Sequence, residues 1–231
     1  MDKRFWAIIG IIIVAFAGIV VFNNKEKPAV TDKNGTKIAD TTSHYAGKLD
    51  SNVTFTEYGD YQCSACKAFS SVTKQVQKKY SDRVRFQFRN LPLTSIHPNA
   101  FAGARAAEAA DAQGKFWEMH DLLYENQDPY GTSGWVASKD PLSQYFVKYA
   151  EQLGLDTAKF RTDFASTIVN TRINADLDAF KATKEPLSTP TFFINGKKVD
   201  SNRLLDNQSP PQPSVDSFSE VLDEALANTK N

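Results

Sequence analysis

The chain has 231 residues, 27 of them basic and 27 acidic, so its formal net charge is zero. That length suits one domain plus an extension, and the balanced charge offers no electrostatic footprint for nucleic acid. Two cysteines cannot build a disulfide scaffold, so the fold must rest on its hydrophobic core.

In chain order, residues 1–4 form a short tail carrying Lys3 and Arg4. Residues 5–22 follow without a charge, from Phe5 to Phe22. That run is long enough, at the short end, to cross a hydrocarbon core of about 30 Å. A cleaved signal peptide is the alternative, because Ala15-Phe16-Ala17 has the small-x-small form of a cleavage site. The apolar run continues to Phe22, which favours an uncleaved transmembrane anchor with a cytoplasmic tail and an extracytoplasmic C-terminal domain. Residues 23–43 are polar, with Pro28 and Gly35 and no amphipathic period, and read as a flexible linker.

The folded domain is expected over residues 44–231. Short strands are expected at His44 to Gly47 and Asn52 to Tyr58, the second with Val53, Phe55 and Glu57 on one face. The pattern then turns helical from Cys63 to Lys79. Arg83 to Arg89 alternates, with Val84, Phe86 and Phe88 on one side and charged or amide residues on a solvent face. After a loop to Pro98 comes a long helical block at about residues 97–183. It has an alanine-rich helix to Gln113, a helix from Lys115 to Asn126, a loop from Gln127 to Lys139 and a helix after Asp140. A last helix from Asp156 to Phe180 carries a bend near Ser166. Thr191 to Asn195 returns to strand, Asn195-Gly196 is a hairpin turn, and Lys197 to Asp200 pairs back. Ser217 and Glu220 have capping-box spacing at the start of a final helix. The first half is a βαβ unit with parallel strands, the second a hairpin and a helix.

Chemistry concentrates at the first strand-to-helix junction, Glu57-Tyr-Gly-Asp-Tyr-Gln-Cys63-Ser-Ala-Cys66. A helix N-terminus has unpaired N–H groups and the positive end of the dipole, and both favour a thiolate at Cys63. Cys66 lies one turn further on, within reach of a short disulfide. This pattern reads as a redox pair, with Cys63 the nucleophile and Cys66 the resolving thiol. An inert bridge would gain little from so short a loop. A half-zinc site would need His44, His97 or His120, none at ligand spacing. His97 and His120 themselves read as a loop and a helix-face histidine. Glu57 occupies a strand position that should be apolar; a buried carboxyl there has a raised pKa and can pass a proton to or from Cys66.

Three segments together resemble the DsbA-like thiol–disulfide oxidoreductases, a thioredoxin-like α/β fold with an inserted helical subdomain. They are Phe55-x-Glu-Tyr-x-Asp-Tyr-x-Cys-x-x-Cys-Lys67, Gly114-Lys-Phe-Trp-Glu-Met-His-Asp-Leu-Leu123 and Ser188-Thr-Pro-Thr-Phe-Phe-Ile-Asn-Gly196. The likeness covers about residues 52–228. It implies a cis bond at Thr189-Pro190, which composition alone would make trans, and a loop there that pairs with a substrate chain. It also implies a buried acid at Glu57. The implied activity is disulfide exchange with unfolded or reduced exported proteins, with a membrane-bound thiol oxidase or reductase as redox partner. No cofactor beyond the Cys63–Cys66 disulfide is expected. The chain departs from the family at Ser64-Ala65, where proline and histidine are common. Without an imidazolium there the couple should be less oxidising than the family's extreme. A reductase or isomerase, or a thioredoxin-like metal or peptide carrier, is the alternative function.

Overall fold

The computed structural model describes residues 41–229. The expected tail, membrane span and most of the linker, residues 1–40, lie outside that range. Among the described residues no helix is long and apolar enough to cross a membrane.

The sheet is organised around β2 (Thr54–Gly59). Alternation along a strand puts Phe55 and Glu57 on one face and Thr56 and Tyr58 on the other. Helix α1 (Ser64–Lys79) carries the chain over to β3 (Arg85–Asn90), which runs parallel to β2 with Phe55 beside Phe86 and Glu57 beside Phe88. Strand β1 (His44–Gly47) pairs antiparallel with β3. On the other side of β2 lies β4 (Thr191–Ile194), antiparallel, followed by β5 (Lys197–Lys198). The order across the sheet is β1-β3-β2-β4-β5.

Between β3 and β4 the chain forms α2 (Ala100–Asp111), α3 (Phe116–Glu125), α4 (Gly134–Ala137), α5 (Val147–Gln152), α6 (Thr157–Phe164) and α7 (Thr167–Ala182). A 3-10 turn (Ser201–Leu204) and α8 (Val215–Asn228) complete the fold.

Three cores hold these layers together. Phe55, Phe86 and Phe192 of the sheet pack on Phe69 and Val76 of α1 and Phe218 and Leu222 of α8. Each such side chain, fully buried, contributes about 1.5–3 kcal/mol. A second core fills the helical subdomain around Trp135, Phe146 and Phe160 and extends to Phe88, Tyr61 and Cys66. The alanines of α2 make this close packing possible. At Gly103 even a Cβ would stand 3.0 Å from that of Tyr61. The third core joins Tyr58 and Phe193, on the far face of the sheet, to Phe180 of α7.

Several expectations need correction. The charged face of β3 is not left to solvent. Helix α7 lies over it, Gln87 is buried, and Arg89 pairs with the fully buried Asp176 at 3.2 Å. The end of the expected linker is also fixed, since Thr42 is buried and both its backbone N–H and its hydroxyl donate to Asp176. The loop from Gln127 to Lys139 contains α4, because Trp135 is drawn fully into the core. The expected bend near Ser166 is a break between α6 and α7, with Ser166 Oγ accepting from Ile168 N–H as the cap of α7. The strand after the hairpin is short: Asp200 instead caps the 3-10 turn through Asn202 N–H. Ser217 is no cap either. It lies inside α8, and its hydroxyl donates to the distant carbonyl of Leu205 at 2.8 Å.

Candidate active site

Strand β2 ends at Gly59, and three residues turn the chain into α1. Gly59 is required by what lies above it: a Cβ there would come within 2.5 Å of the Phe88 ring and 3.0 Å of the Tyr124 hydroxyl. Asp60 shapes the turn. Its carboxylate accepts from Gln62 N–H at 2.7 Å and Leu93 N–H at 2.9 Å, and His97 Nδ1 lies 2.8 Å from it. Gln62 is held in turn by Asn99 N–H and the carbonyl of Val136.

This frame sets Cys63 at the N-cap of α1, in extended backbone, with no side-chain cap competing for the first N–H groups. Cys63 is 8% exposed and Cys66 is fully buried. The two sulfurs are unbridged. A hydrogen bond from the Cys66 thiol does most to pull the Cys63 thiol down from 9.0 to about 6. Burial opposes this, while the Thr189 side chain and the N–H groups of Cys66 and Ala65 reinforce it. Cys66 shifts the opposite way, well above an ordinary thiol. Burial disfavours its thiolate, and the charges of Cys63 and Glu57 repel it.

Glu57 lies on the same side of the sheet as Phe55 and is buried. Its Oε1 has no hydrogen-bond partner among the described residues. Burial first, and the Cys63 charge second, push its carboxyl from 4.5 to about 8. It therefore holds a proton at neutral pH, close to a thiol that resists losing its own. Opposite the cysteines, the Thr189-Pro190 bond is cis. The Thr189 carbonyl oxygen lies 3.5 Å from Cys63 Sγ, and Pro190 presents no N–H beside it. All five residues singled out from the sequence thus meet at one end of β2 and α1.

Two contributors escaped the sequence reading. Asp60 and His97 are 37 positions apart, and only the fold joins them, although an aspartate opening a tight turn is itself a turn signal. His120 is buried against Tyr61 and Phe88, and burial lowers its pKa. Among the described residues no cluster of three or more His, Cys, Asp or Glu is disposed to hold a metal ion.

A family model described as thioredoxin matches residues 39–209. The chain is 38% identical over 155 residues to the Na(+)/H(+) antiporter NhaA 3 of Salinispora tropica, covering 67% of this chain and 22% of that protein. It is 34% identical over 157 residues to the antiporter NhaA 1 of Mycolicibacterium gilvum, covering 67% of this chain and 24% of that one. The chain therefore spans less than a quarter of the length of these relatives. Among solved structures, oxidised BdbD from Bacillus subtilis superposes with a TM-score of 0.63 at 20% identity, covering 87% of this chain and 100% of that one. The thiol-disulfide exchange protein alpha-DsbA2 from Wolbachia pipientis gives 0.62 at 18% identity, over 81% and 89% of the two chains. Both superpositions extend over most of each chain. With a matching family model over most of its length and a cysteine pair seated where β2 runs into α1, this chain belongs to the thioredoxin family and has its DsbA-like fold.

Proposed function

We propose that this protein is an extracytoplasmic thiol–disulfide oxidoreductase, held at the membrane by residues 5–22, that oxidises exported proteins through Cys63 and Cys66. The observation that carries this reading is the split between the two sulfurs: Cys63 keeps a small exposed edge, 8% of its surface, and is stabilised as a thiolate, while Cys66 is fully buried and stabilised as a thiol.

That split drives a balanced exchange. A substrate thiolate attacks Cys63 Sγ of the oxidised pair. The Cys63–Cys66 bond breaks, a mixed disulfide forms, and Cys66 leaves with the electron pair. Glu57, protonated at neutral pH, supplies its proton. A second substrate thiolate then attacks the substrate sulfur of the mixed disulfide, and Cys63 departs as a stable thiolate. The substrate loses two electrons and the cysteine pair gains them. A membrane-bound thiol oxidase returns the pair to the disulfide. The substrate chain lies along the Thr189-Pro190 loop, its backbone pairing as an added strand.

Matching stretches within proteins named as antiporters support a position at the membrane. Antiport itself belongs to those whole proteins, of which this chain matches a minor part. The thiolate at about 6 sits between about 7 for thioredoxin and about 3.5 for DsbA. The expected potential accordingly lies between about −270 mV and about −120 mV. The test is disulfide transfer by the full-length protein in detergent to a reduced, unfolded protein. Transfer that is lost in Cys63→Ser supports the oxidase. Transfer by neither form, or a potential at the thioredoxin end with the pair reduced in intact cells, overturns it.

A further inference from the structure

Two side chains cross between the thioredoxin half and the helical subdomain in opposite directions, and the exchange described above uses neither. Lys67, directly after Cys66, extends to the end of α3. Its Nζ donates to the carbonyls of Tyr124 at 2.9 Å, Glu125 at 3.2 Å and Gln127 at 2.6 Å. They lie at and just past the C-terminal end of α3, where helix carbonyls run short of N–H partners, although the Tyr124 carbonyl also accepts Gln127 N–H at 3.2 Å. Gln127 reaches back the other way. Its side-chain Nε2 donates to the carbonyl of Tyr61 at 2.6 Å and to that of Cys63 at 3.0 Å. Two carbonyl oxygens fix the sense of the amide, because a flipped group would set oxygen against oxygen. The Cys63 carbonyl also accepts Lys67 N–H at 3.1 Å, so it is held from both sides.

Gln127 is 3% exposed, and its Oε1 has no hydrogen-bond partner among the described residues. A half-satisfied amide in a core is costly, which makes its placement against the nucleophile's backbone informative. Resting on the reading of Cys63 as that nucleophile, we infer that Gln127 is a positioning residue for thiol exchange. It pins the carbonyls on either side of Gln62 and thereby holds the Cys63 sulfur over the first turn of α1, while Lys67 holds the loop that carries Gln127. The physical reason is directional. Hydrogen bonds to a thiolate weaken steeply with angle and distance, so a cysteine whose backbone can swing loses the N–H groups that stabilise its charge.

The test is the thiolate titration of Cys63 in the reduced full-length protein, followed by ultraviolet absorbance and by alkylation rate. Gln127→Met keeps the volume and removes both donors. Its midpoint should rise by about one unit, which at pH 6 slows alkylation about fivefold through the smaller thiolate fraction. Phe164→Leu, on α6 in the buried core of the same subdomain, is the control for lost stability and should leave the midpoint in place. Should Gln127→Met fail to fold, Gln127→Asn retracts the amide by one methylene and should move the midpoint the same way. A wild-type midpoint in the Gln127 variant that folds, with thermal stability lowered as in Phe164→Leu, would make Gln127 a structural amide and overturn the inference. The titration needs no substrate, so a protein that transfers no disulfides would defeat the proposed function without touching this result.

Discussion

Cys63 Sγ stands 3.5 Å from the carbonyl oxygen of Thr189, across the gap between the start of α1 and the loop before β4. The Thr189 side chain also helps hold the Cys63 thiol low, and its hydroxyl has no hydrogen-bond partner among the described residues. Its O–H is therefore available to the thiolate when the thiol ionises. Thr189→Val keeps the shape and removes that donor. The Cys63 titration midpoint should rise by about one unit, the scale of a hydrogen bond to a charged group, and the couple should become less oxidising. Thr189→Ser should stay near wild type. Equilibration with glutathione and thiolate absorbance measure the two effects.

Glu57 gives a pH signature of opposite sense. Its carboxyl is raised from 4.5 to about 8, by burial first. Below pH 4.5 it is protonated in both the folded and unfolded chain and costs nothing. As pH rises towards 8 only the unfolded chain gains by ionising, so stability is lost through that window and the loss levels off above it. Glu57→Gln removes the titration. It should match wild type at pH 4 and exceed it by roughly 4–5 kcal/mol at pH 8, at about 1.4 kcal/mol for each unit of the shift. The variant has no proton to give Cys66, so its reaction with a small thiol should be slower than wild type at pH 6 and converge with it above pH 8. Denaturant melts and stopped-flow exchange across pH check both arms.

How much of this was legible in the sequence follows from what each pattern encodes. The alternation Phe86, Phe88 and the helical spacing of Phe69 and Val76 report local periods, and both elements form with those residues buried. Asn195-Gly196 encodes a tight turn, and both residues take positive φ, 49° and 78°. Alternation cannot say which second face a neighbour will cover, so Arg89 read as solvent-facing although α7 buries its partner Asp176. The Ser217–Glu220 spacing was locally valid, but a carbonyl of Leu205 offered the hydroxyl a long-range partner. The cis bond at Thr189-Pro190 came from family resemblance, since the physics of an X-Pro bond favours trans. Around the cysteines, the pair itself was visible, while the Asp60–His97 and Gln127 contacts join positions that nothing local connects.

The close approach above Gly59 yields a steric prediction. In Gly59→Ala the new methyl would meet Phe88 Cε2 at 2.5 Å and Cζ at 2.8 Å, and that ring is only 1% exposed. Overpacking of this kind costs about 1–3 kcal/mol. Phe88→Leu alone leaves a cavity, but Gly59→Ala with Phe88→Leu should be less destabilised than the sum of the two single variants. A double-mutant cycle by urea denaturation measures that coupling. Strict additivity would mean the ring does not resist the methyl.

The seam between β1 and the helical subdomain supplies the last test. His44 stacks on Phe116, ring centroids 3.4 Å apart, and its Nε2 lies 2.6 Å from Glu108 Oε1. Burial disfavours charge on this imidazole, but Glu108 and Asp111 outweigh it and raise its pKa from 6.5 to about 9. The sign is that of a base stabilised as its cation. The contribution is complete below pH 6.5, where both states are protonated, and is lost as pH rises through about 9. Glu57 loses stability over a lower window, so Glu57→Gln is the background in which to isolate the His44 effect. There, His44→Phe keeps a ring on Phe116 but leaves the Glu108 carboxylate with Asn90 Nδ2, 2.7 Å away, as its remaining hydrogen-bond donor among the described residues. Removing one member of a buried pair costs about 3–5 kcal/mol. The double variant should lose that amount at pH 6. Its stability should also fall less steeply than that of Glu57→Gln alone between pH 7 and pH 9.5. Parallel curves for the two proteins over that range would show that His44 is uncharged in the fold, and the ion pair with Glu108 would then be a neutral hydrogen bond.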